Sequence, residues 1–93
     1  MLSPDAVRQL RALRAYDATA LKSAMRIHLE ETDATAETPH RLRLRRLSDV
    51  AEFELRVGAW RLFYRVQDDV VQVVLVGKKR GEQLFIDGKR FTL

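Results

Sequence analysis

Glu52 to Gly77 reads EFELRVGAWRLFYRVQDDVVQVVLVG, and its alternation predicts three consecutive strands joined by two tight turns. Phe53, Leu55 and Val57 alternate with Glu52, Glu54 and Arg56. After Gly58-Ala59, Leu62, Tyr64 and Val66 alternate with Arg61, Phe63 and Arg65. A two-residue loop at Gly58-Ala59 sets Arg56 opposite Arg61, Glu54 opposite Phe63 and Glu52 opposite Arg65. If Asp68-Asp69 closes the second hairpin in the same way, Val71, Val73 and Leu75 join the apolar face, and Gln72, Val74 and Val76 extend the charged one. One face is then core, and the charged face is the place to look for function.

Working outward, the N-terminal part has a helical period. Ser3 is placed to cap a helix, Pro4 suits its first turn, and Asp5 lies at the positive end of its dipole. Val7, Leu10 and Leu13 supply a short apolar stripe. Asp17 reads as a second cap, followed by Leu21, Met25 and Leu29, with Ala20, Ala24 and Ile27 broadening the buried side. The expectation is a helical hairpin over about residues 3–31, a surface linker over 32–39 and a sheet over about 40–93. The sheet opens with HRLRLRRL, where Leu42 and Leu44 alternate with Arg41, Arg43 and Arg45. It closes with a β-hairpin turned at Asp87-Gly88, a strong hairpin signal. Phe85, Ile86, Phe91 and Leu93 make that hairpin too apolar to stand free, so they pack on the domain or on a partner. The fold class expected is α+β, with the helical hairpin on one face of a mainly antiparallel twisted sheet.

A chain of 93 residues has room for one domain with one modest core. It has no cysteine, which excludes disulfides, zinc-thiolate sites and thiol nucleophiles. No apolar run approaches the ~20 residues of a membrane span, and Met1 to Pro4 leads directly into a polar helix pattern without a secretory signal. A cytoplasmic protein with no membrane partner is the expectation. The net charge is +4, and it is unevenly distributed. Residues 1–40 hold five Lys/Arg and six Asp/Glu, whereas residues 41–93 hold twelve and seven. The basic sheet half suits phosphate backbones and acidic proteins equally.

The order of two helices, an antiparallel sheet, an arginine just after a glycine turn and a basic strand end resembles the RelE/ParE superfamily of bacterial type II toxin–antitoxin toxins. The carriers are LRVGAWRLFYRV (Leu55 to Val66), Asp68-Asp69 and VVLVGKKR (Val73 to Arg80). The resemblance implies a single toxin domain over residues 1–93, with a cognate antitoxin as partner and a toxin–antitoxin hetero-oligomer as its assembly. It implies no cofactor and no metal. Members of the superfamily include ribosome-dependent messenger RNA endonucleases, gyrase inhibitors and members without known activity. Family members normally begin with a β-strand, whereas here only Met1-Leu2 precedes the Ser3 cap.

For a messenger RNA endonuclease acting with the ribosome, the resemblance assigns Arg61, Lys79 and Arg80 to the scissile phosphate and Glu54 to the role of base. Such chemistry needs a base for the 2′-hydroxyl, fixed cations for the developing phosphate charge and an acid for the leaving oxygen. Arg45, Arg46, Arg65 and Lys78 would follow the RNA backbone, and Phe63 or Phe85 would stack on a base. Two features depart from the well-studied nucleases: Glu52 and Glu54 replace lysines before the turn, and Phe85 replaces a tyrosine. These departures suit the alternative, a toxin that acts by protein binding as a ParE-like gyrase inhibitor, or a silent antitoxin-binding homologue. Each residue also has an ordinary reading. Arg61 can be a cross-strand partner of the glutamates, Lys78 to Arg80 a solvated strand end, and the arginines from Arg41 to Arg46 a guard on the sheet edge. His28 and His40 have no partner at a useful spacing. Trp60, Tyr64 and Met25 read as core.

Overall fold

The computed structural model describes residues 1–31, 33–44 and 51–91. Helix α1 (Pro4–Arg11) begins as expected: the Ser3 hydroxyl oxygen accepts from the Ala6 amide at 3.0 Å, and Asp5 lies in the first turn. Helix α2 (Ala15–Met25) starts earlier than the sequence suggests. Arg14, and not Asp17, occupies its N-cap position and gives no side-chain bond, while Asp17 lies inside the first turn, where its charge still favours the dipole. The helix then widens into a π-helical segment, Arg26–Glu30, closed by a bond from the Glu31 amide to the Arg26 carbonyl at 3.0 Å. The expected stripe is only partly buried. Leu21 and Leu29 are buried, but Ala20 is exposed and Ile27 is 45% exposed.

Six strands follow in an antiparallel meander whose spatial order is the chain order: β1 (Arg41–Arg43), β2 (Phe53–Val57), β3 (Trp60–Gln67), β4 (Val70–Arg80), β5 (Gln83–Ile86) and β6 (Lys89–Phe91). The β2–β3 register is the one read from the sequence, with Arg56 opposite Arg61 and Glu54 opposite Phe63, and Gly58 takes a left-handed φ of 58° in the turn. Glu52 lies before β2, and its amide donates to the Tyr64 carbonyl at 3.0 Å. Asp68 and Asp69 both adopt left-handed φ (51° and 63°) between the closing pair Gln67 and Val70, a conformation that Asp tolerates better than most residues. The Asp87-Gly88 hairpin forms in the same way, with Ile86 opposite Lys89.

The strict alternation breaks in the middle of β4. Tyr64 pairs with Val73 but Phe63 pairs with Leu75, so Val74 is an extra residue in a β-bulge. Every side chain beyond it is inverted relative to the expectation. Val76 joins the helix-side core with Val73, Leu62 and Tyr64, whereas Leu75 turns to the opposite face. There Phe63, Leu75, Ile86 and Ala51 form a second buried cluster, flanked by Leu44, Val74, Leu84 and Phe91. The face expected to be open and charged is therefore partly filled. This also accounts for the apolar C-terminal hairpin, since Ile86, Leu84 and Phe91 belong to that cluster, while Leu93 lies outside the described residues.

The main core lies between the helices and the sheet, with Leu21, Leu55, Leu62 and Tyr64 fully buried. Burying each such leucine contributes roughly 1.5–3 kcal/mol. The ring of Tyr64 stacks on Phe53 at 5.2 Å, and its hydroxyl donates to the Ala34 carbonyl at 2.6 Å. Ala34 itself is 5% exposed, so the segment expected as a surface linker contributes to the core.

The free edge of β4 is covered one group at a time. Leu2 makes a parallel bridge to Val73, with the Val73 amide donating to the Met1 carbonyl and the Ser3 amide to the Val73 carbonyl, both at 2.8 Å. The Ser3 hydroxyl donates to the Val74 carbonyl at 2.6 Å. Next, Gln9 reaches out of α1, 5% exposed, and its Oε1 accepts from the Val76 amide at 2.6 Å. Beyond Gly77, β5 takes over the pairing at Lys78. Met1 to Ser3 thus pair with one stretch of β4, and the backbone groups of a long strand find partners where no continuous neighbour exists.

Candidate functional site

The residues assigned by the sequence divide between the two faces of the sheet. Glu54, Arg61, Phe63, Arg65 and Lys79 share the face away from the helices, as the β2–β3 and β3–β4 registers require. Arg61 is turned inward there, its side chain only 13% exposed. Its Nη1 donates to the carbonyls of Gly58 at 2.7 Å and Trp60 at 2.8 Å, and its Nε lies 3.1 Å from Glu54 Oε1. That last contact is an ion pair without hydrogen-bond alignment, so Nε is buried and unmatched. Burial lowers the Arg61 pKa from the ordinary arginine value; Glu54 opposes this, and Arg56 adds to it. Glu54 in turn lies between Arg61 and Arg56, whose Nε is 3.7 Å away. The group therefore holds the Gly58-Ala59 turn together. Phe63 is 2% exposed in the second apolar cluster and offers no ring face to a base. Arg65 donates through Nε to Gln72 Oε1 at 3.0 Å. Lys79 is half-buried and has no carboxylate within 4.0 Å among the described residues.

Lys78, Arg80 and Phe85 are on the helix side. Lys78 lies opposite both Trp60 and Phe85, and Arg80 follows by alternation. These residues border a groove of about 420 Å³ between the C-terminal end of α1 and strands β3 to β5, with Gln9, Leu13 and Val76 among its lining. The Lys78 ammonium lies 5.1 Å from the centre of the Trp60 ring, and the Arg80 guanidinium lies 5.6 Å from that of Phe85. Asp87, also at the groove, is paired with Arg8 at 3.0 Å, which ties α1 to the last hairpin turn. Arg45 and Arg46, the remaining assigned cations, lie outside the described residues.

Residues 1–82 match the family described as ParE toxin of type II toxin-antitoxin system, parDE. The chain belongs to the ParE toxin family. It is the toxin component of a type II toxin–antitoxin system, and membership carries a cognate antitoxin as partner. No curated protein and no solved structure matches the chain. No helix among the described residues is long and apolar enough to cross a membrane.

Three features of the toxin escaped the sequence reading. Gln9 looks like an ordinary polar helix residue, and nothing in its spacing marks it as a partner for a strand amide. Arg41 looks like an edge guard, but it is 5% exposed, and its Nη1 donates to the His28 carbonyl at 2.6 Å. The rings of His28 and His40, read as lone residues, are 5.2 Å apart, brought together because the π-helical segment ends beside β1. Burial lowers the His28 pKa, and the charges of His40 and Arg41 lower it further. Among the described residues, no group of three or more His, Cys, Asp or Glu side chains is placed to hold a metal ion.

Proposed function

We propose that the toxin acts by binding a protein target, as a ParE-like inhibitor of DNA gyrase, and not by cutting messenger RNA. The carrying observation is the state of Arg61, which bonds two carbonyls of its own turn and faces Glu54. A guanidinium anchored and turned inward in this way is poorly placed for a phosphate, because leaving those carbonyls and that carboxylate costs more than an exposed arginine would lose. The rest of the nuclease set is divided as well. Lys78, Arg80 and Phe85 face the groove on one side, while Glu54, Arg61 and Lys79 lie on the other. Phosphoryl chemistry requires its base and its cations around one reacting atom. Protein binding has no such requirement, and a basic surface with apolar elements suits it.

Inducible expression in a bacterial host distinguishes the two activities. The expected result is growth arrest with double-strand DNA breaks and a DNA-damage response, while ribosome-bound messages stay intact. Cuts in translated messages at the ribosomal A site, with DNA unbroken, would restore the nuclease reading. Unimpaired growth with soluble toxin would leave a silent antitoxin-binding homologue.

A further inference from the structure

We propose that His28 and His40 form a binding site for one divalent transition-metal ion, of the Zn²⁺ or Ni²⁺ class, which bridges the π-helical segment and the residue that leads into β1. The inference is independent of the gyrase reading and of the antitoxin.

Two imidazoles that ligate one ion have a characteristic separation. A zinc–nitrogen bond of ~2.0–2.1 Å places the centre of each ring about 3.2 Å from the metal, so two rings at the tetrahedral angle have centres about 5.2 Å apart. The rings of His28 and His40 are 5.2 Å apart and inclined at 45°. Their backbones are fixed in advance. Arg41 Nη1 donates to the His28 carbonyl at 2.6 Å, the Arg56 amide donates to the His40 carbonyl at 2.7 Å, and the His40 amide donates to the Thr38 hydroxyl oxygen at 3.1 Å. The terminal torsion of histidine is soft, so each ring can turn a nitrogen towards a shared ion while the backbone stays still. A pair held in this way has little ordering left to lose on binding.

The donor set selects the metal. Imidazole nitrogen suits Zn²⁺, Ni²⁺ and Cu²⁺, whereas Mg²⁺ and Ca²⁺ require oxygen ligands. Among the described residues no third His, Cys, Asp or Glu completes a set of three, so water fills the remaining positions. His40 is exposed and His28 half-buried, which leaves the pair open to an ion from solvent. The nearby Arg41 guanidinium opposes the added charge. The site is therefore a two-imidazole chelate, weaker than a structural zinc site with four protein ligands. Its effect is mechanical. An ion held by both rings closes the chain from 28 to 40 into a loop, and that loop carries Ala34, whose carbonyl accepts from the buried Tyr64 hydroxyl. Because the two rings meet only in the folded chain, the ion stabilises the toxin by mass action.

The test uses full-length toxin without an affinity tag, stripped of metal by a chelator and titrated with zinc chloride or nickel chloride at about pH 7.5, where imidazole is mostly neutral. Calorimetry should give one ion per chain. The melting temperature should rise with metal concentration, return with excess chelator and stay unchanged in magnesium chloride. Proton NMR should show the ring signals of His28 and His40 responding together, with saturation at one equivalent. His28 and His40 are the two histidines of the chain, so each single change to glutamine leaves one ring. Losing a ligand should cost no less than losing a group that merely orients one, so affinity should fall about 10-fold or more in His28→Gln and in His40→Gln. His40 is exposed, and His40→Gln carries the comparison should the His28 change impair folding. Lowering the pH to about 5.5 should weaken binding as protons compete for both rings. No binding by the natural protein would overturn the proposal. So would two independent ions per chain, or affinity within about twofold of the natural protein in folded His40→Gln, since either would mean that the rings do not share an ion.

Discussion

Arg61 and Glu54 meet diagonally across β2 and β3, with 3.1 Å between Nε and Oε1, while Nη1 of the same arginine bonds the Gly58 and Trp60 carbonyls. The relationship makes Arg61 part of its own turn. Changing Arg61 to Ala should lower stability by about 1–2 kcal/mol, measurable as a shift in the urea midpoint. Lysine should restore only part of this, because it lacks the planar fork. Toxicity per folded molecule should stay within a few-fold of the natural protein. A hundredfold loss of toxicity with an unchanged midpoint would instead assign the arginine to a partner.

Gly77 is closely packed beneath the last hairpin. A β-carbon there would come within 2.9 Å of Leu84 Cδ1 and 3.0 Å of both Ile86 Cγ1 and the Phe85 carbonyl oxygen. The two side chains can shift, but the backbone oxygen cannot move without displacing β5. Changing Gly77 to Val should therefore cost about 1–3 kcal/mol and expose residues 83–91 to proteolysis. Equal protease resistance in variant and natural protein would show that the hairpin tolerates the displacement.

Tyr64 links the core to the segment before β1 through its bond to the Ala34 carbonyl. Tyr64→Phe should cost about 1–3 kcal/mol by leaving that carbonyl without its partner. The same burial raises the phenol pKa to about 12. Since the folded pKa is the higher, the stabilisation is fully present below the unfolded value of about 10 and is lost as pH rises towards the folded one. Chemical denaturation across this alkaline range should show a falling midpoint in the natural protein and a flatter profile in Tyr64→Phe.

On the acid side, two groups act in separate windows. The His28 pKa is lowered, chiefly by burial and then by His40 and Arg41. The unfolded state therefore takes up the proton first, and stability should decline as pH falls below about 6.5. Asp33 is held below the usual carboxylate range by the Thr35 hydroxyl and amide, so its contribution disappears only at lower pH. Thermal melts of His28→Gln should lose the first decline and retain the second. An unchanged profile would mean that His28 does not titrate differently on folding.

Much of this fold was legible because β2 and β3 alternate cleanly, which sets both register and face from Phe53 to Val66. The alternation stops in Val73-Val74-Leu75-Val76, where four apolar residues fit either face. A bulge among them leaves no trace in hydropathy, and the second cluster around Phe63 and Leu75 was hidden with it. The position of Arg61 was equally legible, but its direction was not. A guanidinium beside a tight turn can point to solvent or bond the turn's carbonyls, and the choice depends on three-dimensional distances. His28 and His40, twelve positions apart in the chain, meet where the π-helical segment lies beside β1, with Arg41 bonded to the His28 carbonyl, a juxtaposition that no local spacing encodes.

The bulge at Val74 acts as a phase shift within one strand. Up to Val73 the residues facing the helices are odd-numbered, and beyond it they are even-numbered, so β4 serves two interiors in succession. A sheet insulated on both sides by its own side chains has little open plane left for recognition. What it can offer is its perimeter: the slot beside α1, the turns and the outer strands. For so small a toxin, a partner that avoids both interiors meets contacts spread around a circumference and follows its contour. Changes along that contour can retune partners one contact at a time while both interiors stay intact.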